Sequence, residues 1–338
     1  MALLFMDGFD HTGTTSAILE TKYALANVFG VVTTPVRTGS GAVTLYGTSY
    51  TLLTRPLAAT GGFVIGVAVR RTATSSSIDW WQVRENATTH LTLAHDGAGH
   101  LQVKRGSTVL ATGTAVIPLN SWVYIEFKGV IHDTAGSYEV RIDGVPQPEL
   151  TASGVDTRNG GTTGQWDRVL LGGFDQTSTY YDDYYICDLS GPAPHNDFLG
   201  AVRVETLLPQ TGNGSNTGLT PSTGTDHGAL VDENPPNTTD YNGSPTVGAK
   251  DTYNYPSLAL SGAILGIQTN LYVNKSDSTP RQVCAVVRAG GVDYDGASVS
   301  PLTSFSYFSE LRALNPATGL AWTPADIAAL EVGMKVTG

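Results

Sequence analysis

From Gly62 to about Asp188, apolar side chains keep a period of two, interrupted repeatedly by Gly, Asn and Asp. Phe63, Ile65, Val67 and Val69 alternate with small residues, the pattern of a strand with one buried face. Ile78 to Arg84, His90 to Leu93, Leu101 to Lys104, Trp122 to Lys128 and Tyr138 to Ile142 are further strand-like runs. Asp96-Gly97-Ala98-Gly99 and Asp143-Gly144 lie between such runs, where glycine supplies the positive φ of a tight hairpin. Strands at this spacing predict an antiparallel sandwich. The 39 Gly and 17 Pro among 338 residues agree, because so many turn formers favour short strands over long helices.

The polar surface is built from Thr, Ser, Asn and Gly. Charged residues make up 14% of the chain, against roughly 25% in ordinary soluble domains. Hydrophobic residues at 41% supply a packed core. A formal charge of −11 with no basic cluster argues against nucleic acid as a partner, since phosphate binding needs grouped Lys and Arg. No apolar run is long enough to insert into a membrane, and Asp7 and Asp10 follow Met1 too closely for a signal peptide. The expectation is folding in the cytoplasm of the producing cell, with Cys187 and Cys284 reduced.

At 338 residues the chain has room for about two domains. Residues 1–195 read as the sandwich, with Ser16 to Phe29 as a helix or structured loop. Residues 196–256 read as a connector or extended arm, its part from about Gln210 being rich in Gly, Thr, Asn and Pro. Residues 257–338 read as a smaller β-rich domain, with strands in Leu258 to Val273, Gln282 to Arg288 and Ser304 to Leu311. A short terminal helix is signalled by Thr323 as N-cap, Pro324 in the first turn, Asp326 three residues after the cap, and Gly333 as the stop.

Trp122-x-Tyr-Ile-Glu-Phe, Tyr138-x-Val-x-Ile-Asp143-Gly144, Leu170-Leu-Gly-Gly-Phe174 and Tyr181-Asp-Asp-Tyr-Tyr-Ile186 resemble the concanavalin A-like and laminin G-like superfamily. The resemblance covers residues 1–190 and implies a jelly-roll sandwich in which the late Asp-Asp strand pairs beside the N-terminal strand, here Met6 to His11. The opening Asp7-Gly8-Phe9-Asp10, the strand through Asp188, Asn196 to Gly200, and the tail Asn315 to Gly319 with Trp322-Thr323 are similar to a family of phage structural proteins carrying this lectin-like domain. That likeness implies an all-β virion protein of decoration, minor tail or fibre type.

Candidate chemistry is sparse. The Glu-x-Asp-x-x-Glu strand of sandwich glucanases is missing, and Glu139 and Glu149, the nearest pair of glutamates in sequence, are too far apart to replace it. Glu126 and Glu139 can approach only across paired strands. No acyl-transfer or phosphate-loop motif occurs. His90, His95 and His100 alternate faces and read as polar surface. Asp7, Asp10, Asp182 and Asp183 converge if the first and late strands pair, and form a candidate calcium site; the alternative is turn and cap hydrogen bonding. Trp80, Trp81, Tyr180 and Tyr181 are candidate carbohydrate contacts, with core or interface packing as the alternative, and at most one of the two tryptophans is expected in the core.

These readings converge on a non-enzymatic structural component of a phage virion, a surface decoration or minor tail protein. Its partners would be other copies of itself and phage capsid or tail proteins. A receptor-binding lectin for host surface glycan is the alternative, and a glycan-degrading enzyme stands third.

Overall fold

A computed structural model describes residues 3–28, 30–45, 50–57, 61–73, 78–160, 163–173, 179–258 and 262–338. Phe29, Phe174 and residues 259–261, which figure in the sequence expectations, lie outside these. The chain forms two compact units, Met1–Glu205 and Thr206–Gly338.

The first unit begins with β1 (Leu3–Asp7) and a five-residue helix, α1 (Ser16–Glu20). Then come β2 (Leu25–Asn27), β3 (Gly30–Val32), β4 (Ala42–Leu45) and β5 (Tyr50–Leu53). The segment read as a helix or loop up to Phe29 is therefore helical for one turn and already extended at Leu25. The long strands follow: β6 (Gly62–Arg71), β7 (Ile78–Glu85), β8 (Thr88–His95), β9 (His100–Arg105) and β10 (Thr108–Val116). The unit closes with β11 (Val123–Val130), β12 (Gly136–Ile142), β13 (Val145–Val155), β14 (Arg168–Gly173) and β15 (Thr179–Cys187).

These strands make two antiparallel sheets. The larger runs β13-β12-β11-β6-β15-β4-β3, with β1 also on β15; the smaller runs β10-β9-β8-β7-β14-β5-β2. The fold is an all-β sandwich of two antiparallel sheets. The hairpins sit where glycine and aspartate mark them: Asp143 and Gly144 both have positive φ, and the Asp96 carboxylate caps the N–H groups of Ala98 and His100.

The sheets bury Phe63, Ile65, Val67 and Val69 of β6 against Trp81, Val83, Leu91 and Leu93 of β7 and β8, all within one core. Each such side chain contributes about 1.5–3 kcal/mol on full burial. Trp80 and Trp81 are both fully buried, against the expectation that only one would be. A bulge in the β7–β8 register at Asp79/Trp81 accompanies this, and Trp80 packs edge-on against His95. His90 and His95 are buried as well rather than on the surface. His90 uses one ring nitrogen toward Glu85 and accepts the Asn159 N–H on the other.

The outer face of the larger sheet is also covered. Val64, Ala68, Tyr124, Glu126, Tyr185 and Cys187 are all buried. Leu189 fits against Gly62, where a Cβ would strike its side chain.

The second unit contains β16 (Thr220–Pro221), β17 (Asn242–Gly243), β18 (Lys250–Asn254) and β19 (Ile267–Val273). After these come β20 (Val283–Ala289), β21 (Val292–Asp295), β22 (Ser306–Arg312), α2 (Pro324–Ala328) and β23 (Glu331–Val336). Its sheets are β18-β23-β20-β21, the ribbon β19-β22 and the small pair β16-β17. Val287, Ala289, Trp322, Ile327, Leu330 and Val332 form a core. The Gly/Thr/Asn/Pro-rich stretch read as an extended arm is folded into this unit: Gln210 N–H bonds Asn254 O, and Gly218 N–H bonds Lys250 O. Thr323 and Asp326 form the expected capping box. Gly333 is not the helix stop; it lies in β23, where a Cβ would collide with Asp251 O. Cys187 and Cys284 are free and buried. Among the described residues no helix is long and apolar enough to cross a membrane.

Candidate functional site

Two neighbourhoods on the larger sheet gather the polar side chains of the first unit. The first is the corner where β1 meets β15. Asp7 pairs in register with Tyr184, so the four aspartates named from sequence do converge. β15 carries a bulge, two residues opposing one between Asp182/Ala68 and Tyr185/Gly66, and Asp183 takes φ 52 within it.

Donors surround these carboxylates. Asp7 accepts from Phe9 N–H at 2.8 Å and Tyr23 Oη at 2.7 Å, and pairs with Lys22 Nζ at 3.0 Å. Asp10 accepts from Ser40 and Gly41 N–H. Asp182 takes the N–H groups of Arg37 and Thr38, and Asp183 takes the Arg37 guanidinium, Thr38 Oγ1 and Val204 N–H. Gly39 and Gly41 let this loop close on Asp10 and Phe9, where a Cβ would collide.

Burial pushes the Asp10 carboxyl up to about 6, and burial plus the neighbouring Asp183 pushes Asp182 up to about 8. Burial also raises Asp7, but Lys22, His11 and the Phe9 N–H outweigh it and hold its carboxyl below the usual range. Among the described residues no group of three or more His, Cys, Asp or Glu is arranged to hold a metal. The partners these four carboxylates have are those of the turn-and-cap alternative: Asp10, Asp182 and Asp183 fasten the 37–41 loop, and Asp7 holds Phe9, Tyr23 and Lys22.

The second neighbourhood is an open groove of about 470 Å³ on β11, β12 and β13, lined by Lys128, Ser137, Tyr138, Glu139, Thr151, Ala152 and Ser153. The β11–β12 register sets Glu126 opposite Arg141 and Lys128 opposite Glu139, all facing outward. Glu139 is held between Lys128 Nζ at 3.2 Å and Arg141 Nε at 3.1 Å. Phe198 lies across both cations, its ring centre 4.5 Å from Lys128 Nζ and 4.0 Å from Arg141 Cζ. Beside the groove, Glu126 Oε1 accepts from Tyr185 Oη at 2.6 Å and Gly200 N–H at 2.8 Å. Its Oε2 is buried with no hydrogen-bond partner among the described residues.

Glu126 and Glu139 form the diagonal of two paired strands, where Cβ atoms stand roughly 7–8 Å apart or somewhat less. The sequence allowed this approach, and the register realises it. A stacking platform for a sugar needs an open ring face. Trp80, Trp81 and Tyr181 are fully buried, while Tyr180 is half-buried with the Arg70 guanidinium 5.6 Å from its ring centre. Phe198, Lys128 and Arg141 were not singled out from sequence. The outward alternation Glu126, Lys128 and Glu139, Arg141 was the signal available.

No protein-family model matches the sequence, and no curated protein matches it. Solved structures show partial likenesses to it. A sialidase from Trypanosoma rangeli is 14% identical, with a TM-score of 0.35, over 45% of this chain and 26% of its own. A pentraxin of serum amyloid P type from Limulus polyphemus is 12% identical, TM-score 0.32, over 42% and 74% of the two chains. The catalytic domain of a glycoside hydrolase family 131 protein from Coprinopsis cinerea is 12% identical, TM-score 0.36, over 60% and 100%. The chain thus spans about a quarter of the sialidase's length.

The first unit is a two-sheet β-sandwich. The expectation of a non-enzymatic chain is corrected here. Glycoside hydrolases stand among the structures the chain partly resembles, and a missing glucanase motif excludes no reaction. At these identities the likeness concerns the fold alone.

Proposed function

We propose that this chain is a structural component displayed on a bacteriophage particle, and that its sandwich contacts host-surface glycan through the groove on β11–β13. The groove carries the glycan reading. It sets a carboxylate clamped between two cations, Glu139 with Lys128 and Arg141, beside the half-buried ring of Phe198 and the hydroxyls of Ser137, Thr151 and Ser153. Charged and hydroxyl groups of fixed geometry read sugar hydroxyls, and ring faces cover the apolar side of a pyranose. The particle assignment is supported by the likeness of Asp7 to Asp10, Asp182 to Asp188 and Asn196 to Gly200 to phage structural proteins.

A glycan array probed with the intact chain and with Glu139→Ala tests the groove. Saturable binding to a restricted set of glycans, lost in the variant, is the expected result; binding that is unchanged in Glu139→Ala sinks it. A cryo-EM map of the particle tests the placement and shows what the second unit touches.

A second reading rests on the Glu126–Glu139 diagonal, two carboxylates on one face at a spacing relevant to glycoside cleavage. Release of reducing ends from capsular polysaccharide, abolished in both Glu126→Gln and Glu139→Gln, would favour it over simple binding.

A further inference from the structure

The outer face of the larger sheet reads a stretch of backbone. Between Asp197 and Val204 the chain crosses this face, and side chains rather than neighbouring strands hold it. Asp197 meets Lys128 Nζ at 2.9 Å, and Phe198 lies over Lys128 and Arg141. Leu199 N–H donates to Tyr185 Oη at 3.1 Å and Gly200 N–H to Glu126. Arg37 Nη1 donates to Val202 O at 2.7 Å, and Val204 N–H donates to Asp183 Oδ1 at 2.7 Å. Val202 and Val204 are half-buried while Ala201, Arg203 and Glu205 are exposed, the alternation of an extended peptide on a surface. Gly8 completes the fit, since a Cβ there would strike Val204 O. Three N–H groups meet acceptors, one carbonyl meets a donor, and an aromatic side chain is anchored between two cations. This is the chemistry of a peptide-binding groove occupied by the chain's own residues.

We propose that the groove also accepts residues 197–204 from a second copy of this chain, so that copies join by exchanging the segment. The contacts are identical whichever copy supplies the peptide, so exchange forfeits none of them. The segment forms no rung of either sheet and can leave without breaking a strand pairing. Ser190-Gly191-Pro192-Ala193-Pro194 precedes it, a turn-rich stretch between the end of β15 and the docked residues. The segment also ends at Glu205, where the first compact unit ends. Tethering gives the cis arrangement an effective concentration on the order of millimolar, so exchange sets in when copies are crowded to a comparable level.

The test mixes unlabelled and ¹⁵N-labelled preparations of the full chain, incubates them dilute and concentrated, and joins Lys128 to Asp197 with a zero-length carbodiimide cross-linker. Mass spectrometry of the Lys128–Asp197 cross-linked peptide then shows whether its halves come from one copy or two. The expected result is single-isotope peptides in the dilute sample and mixed-isotope peptides rising toward the random-pairing limit in the concentrated one, in step with oligomer formation. Phe198→Ala removes the same contact from both arrangements, so it should leave the final mixed fraction near wild type but bring the sample to it several-fold faster. Oligomers whose cross-links stay within one isotope would overturn the proposal. So would a chain that remains monomeric at every concentration, or an exchange rate unaffected by Phe198→Ala.

Discussion

Tyr185 lies flat over Gly66 and delivers its hydroxyl to Glu126 Oε1 at 2.6 Å. A Cβ on Gly66 would run into that ring, so the glycine is what lets the tyrosine rest against the sheet. Gly66→Ala is therefore expected to tilt Tyr185, loosen the Glu126 contact and destabilise the sandwich by about 1–3 kcal/mol through overpacking. Urea unfolding of wild type and variant measures it, and equal midpoints would show that the ring has room to move.

Lys22 and Asp7 form a buried ion pair at 3.0 Å, and Tyr23, the Phe9 N–H and His11 also meet the carboxylate. Lys22→Met strands a buried negative charge and is expected to cost about 3–5 kcal/mol. The double variant Asp7→Asn/Lys22→Met removes both charges and should lose clearly less than the sum of the single changes. A double-mutant cycle by denaturant unfolding decides; strict additivity would mean the pair is not coupled.

Asp182 gives stability a pH dependence of defined sign. Its folded-state value, about 8, lies above its ordinary 3.8. The folded chain therefore binds the proton more tightly than the unfolded one. The resulting stabilisation is complete below about pH 4 and is lost as pH rises toward 8. Asp182→Asn keeps an oxygen for the Arg37 and Thr38 N–H groups but cannot ionise. The expected result is a shallower fall in unfolding free energy between pH 4 and 8 than in wild type. Parallel curves would show that Asp182 does not titrate in that window.

In the second unit, Asp251 accepts Leu219 N–H at 2.8 Å and meets His227 Nδ1 at 2.6 Å, wholly buried. Asp251→Ala leaves both groups without their acceptor, an expected cost of about 3 kcal/mol. Hydrogen exchange should show lost protection across residues 206–338 with the sandwich unchanged. Equal loss in both units would mean that they do not unfold separately.

The sandwich was legible because period-two patterning reports which face of each strand is buried. What escaped was whatever depends on bulges and coverings. Trp80 and Trp81 alternate in sequence, yet something packs against each face, and His90 and His95 vanish from the surface for the same reason. The bulge at Asp183 has no sequence signature, so the convergence of four aspartates could be foreseen but not the Arg37 loop that satisfies them. Composition misled at the 196–256 stretch, because Gly, Thr and Asn serve equally in a free linker and in a domain knitted by loop hydrogen bonds such as Gly218 N–H to Lys250 O. Gly333 illustrates the same ambiguity: it ends no helix and instead admits a neighbouring backbone.

The pairing of Leu3 with Cys187 has a consequence for biosynthesis. β1 cannot reach its place until β15, made much later, has emerged. At roughly 5–20 residues per second that takes on the order of ten to forty seconds. During this interval Leu3 to Asp7 is an unpaired apolar strand, and the sheet it completes has an open position beside β6. Folding of the nascent chain thus closes late, by joining its two most distant strands, and this interval is when the sandwich is most exposed to misassembly with neighbouring chains.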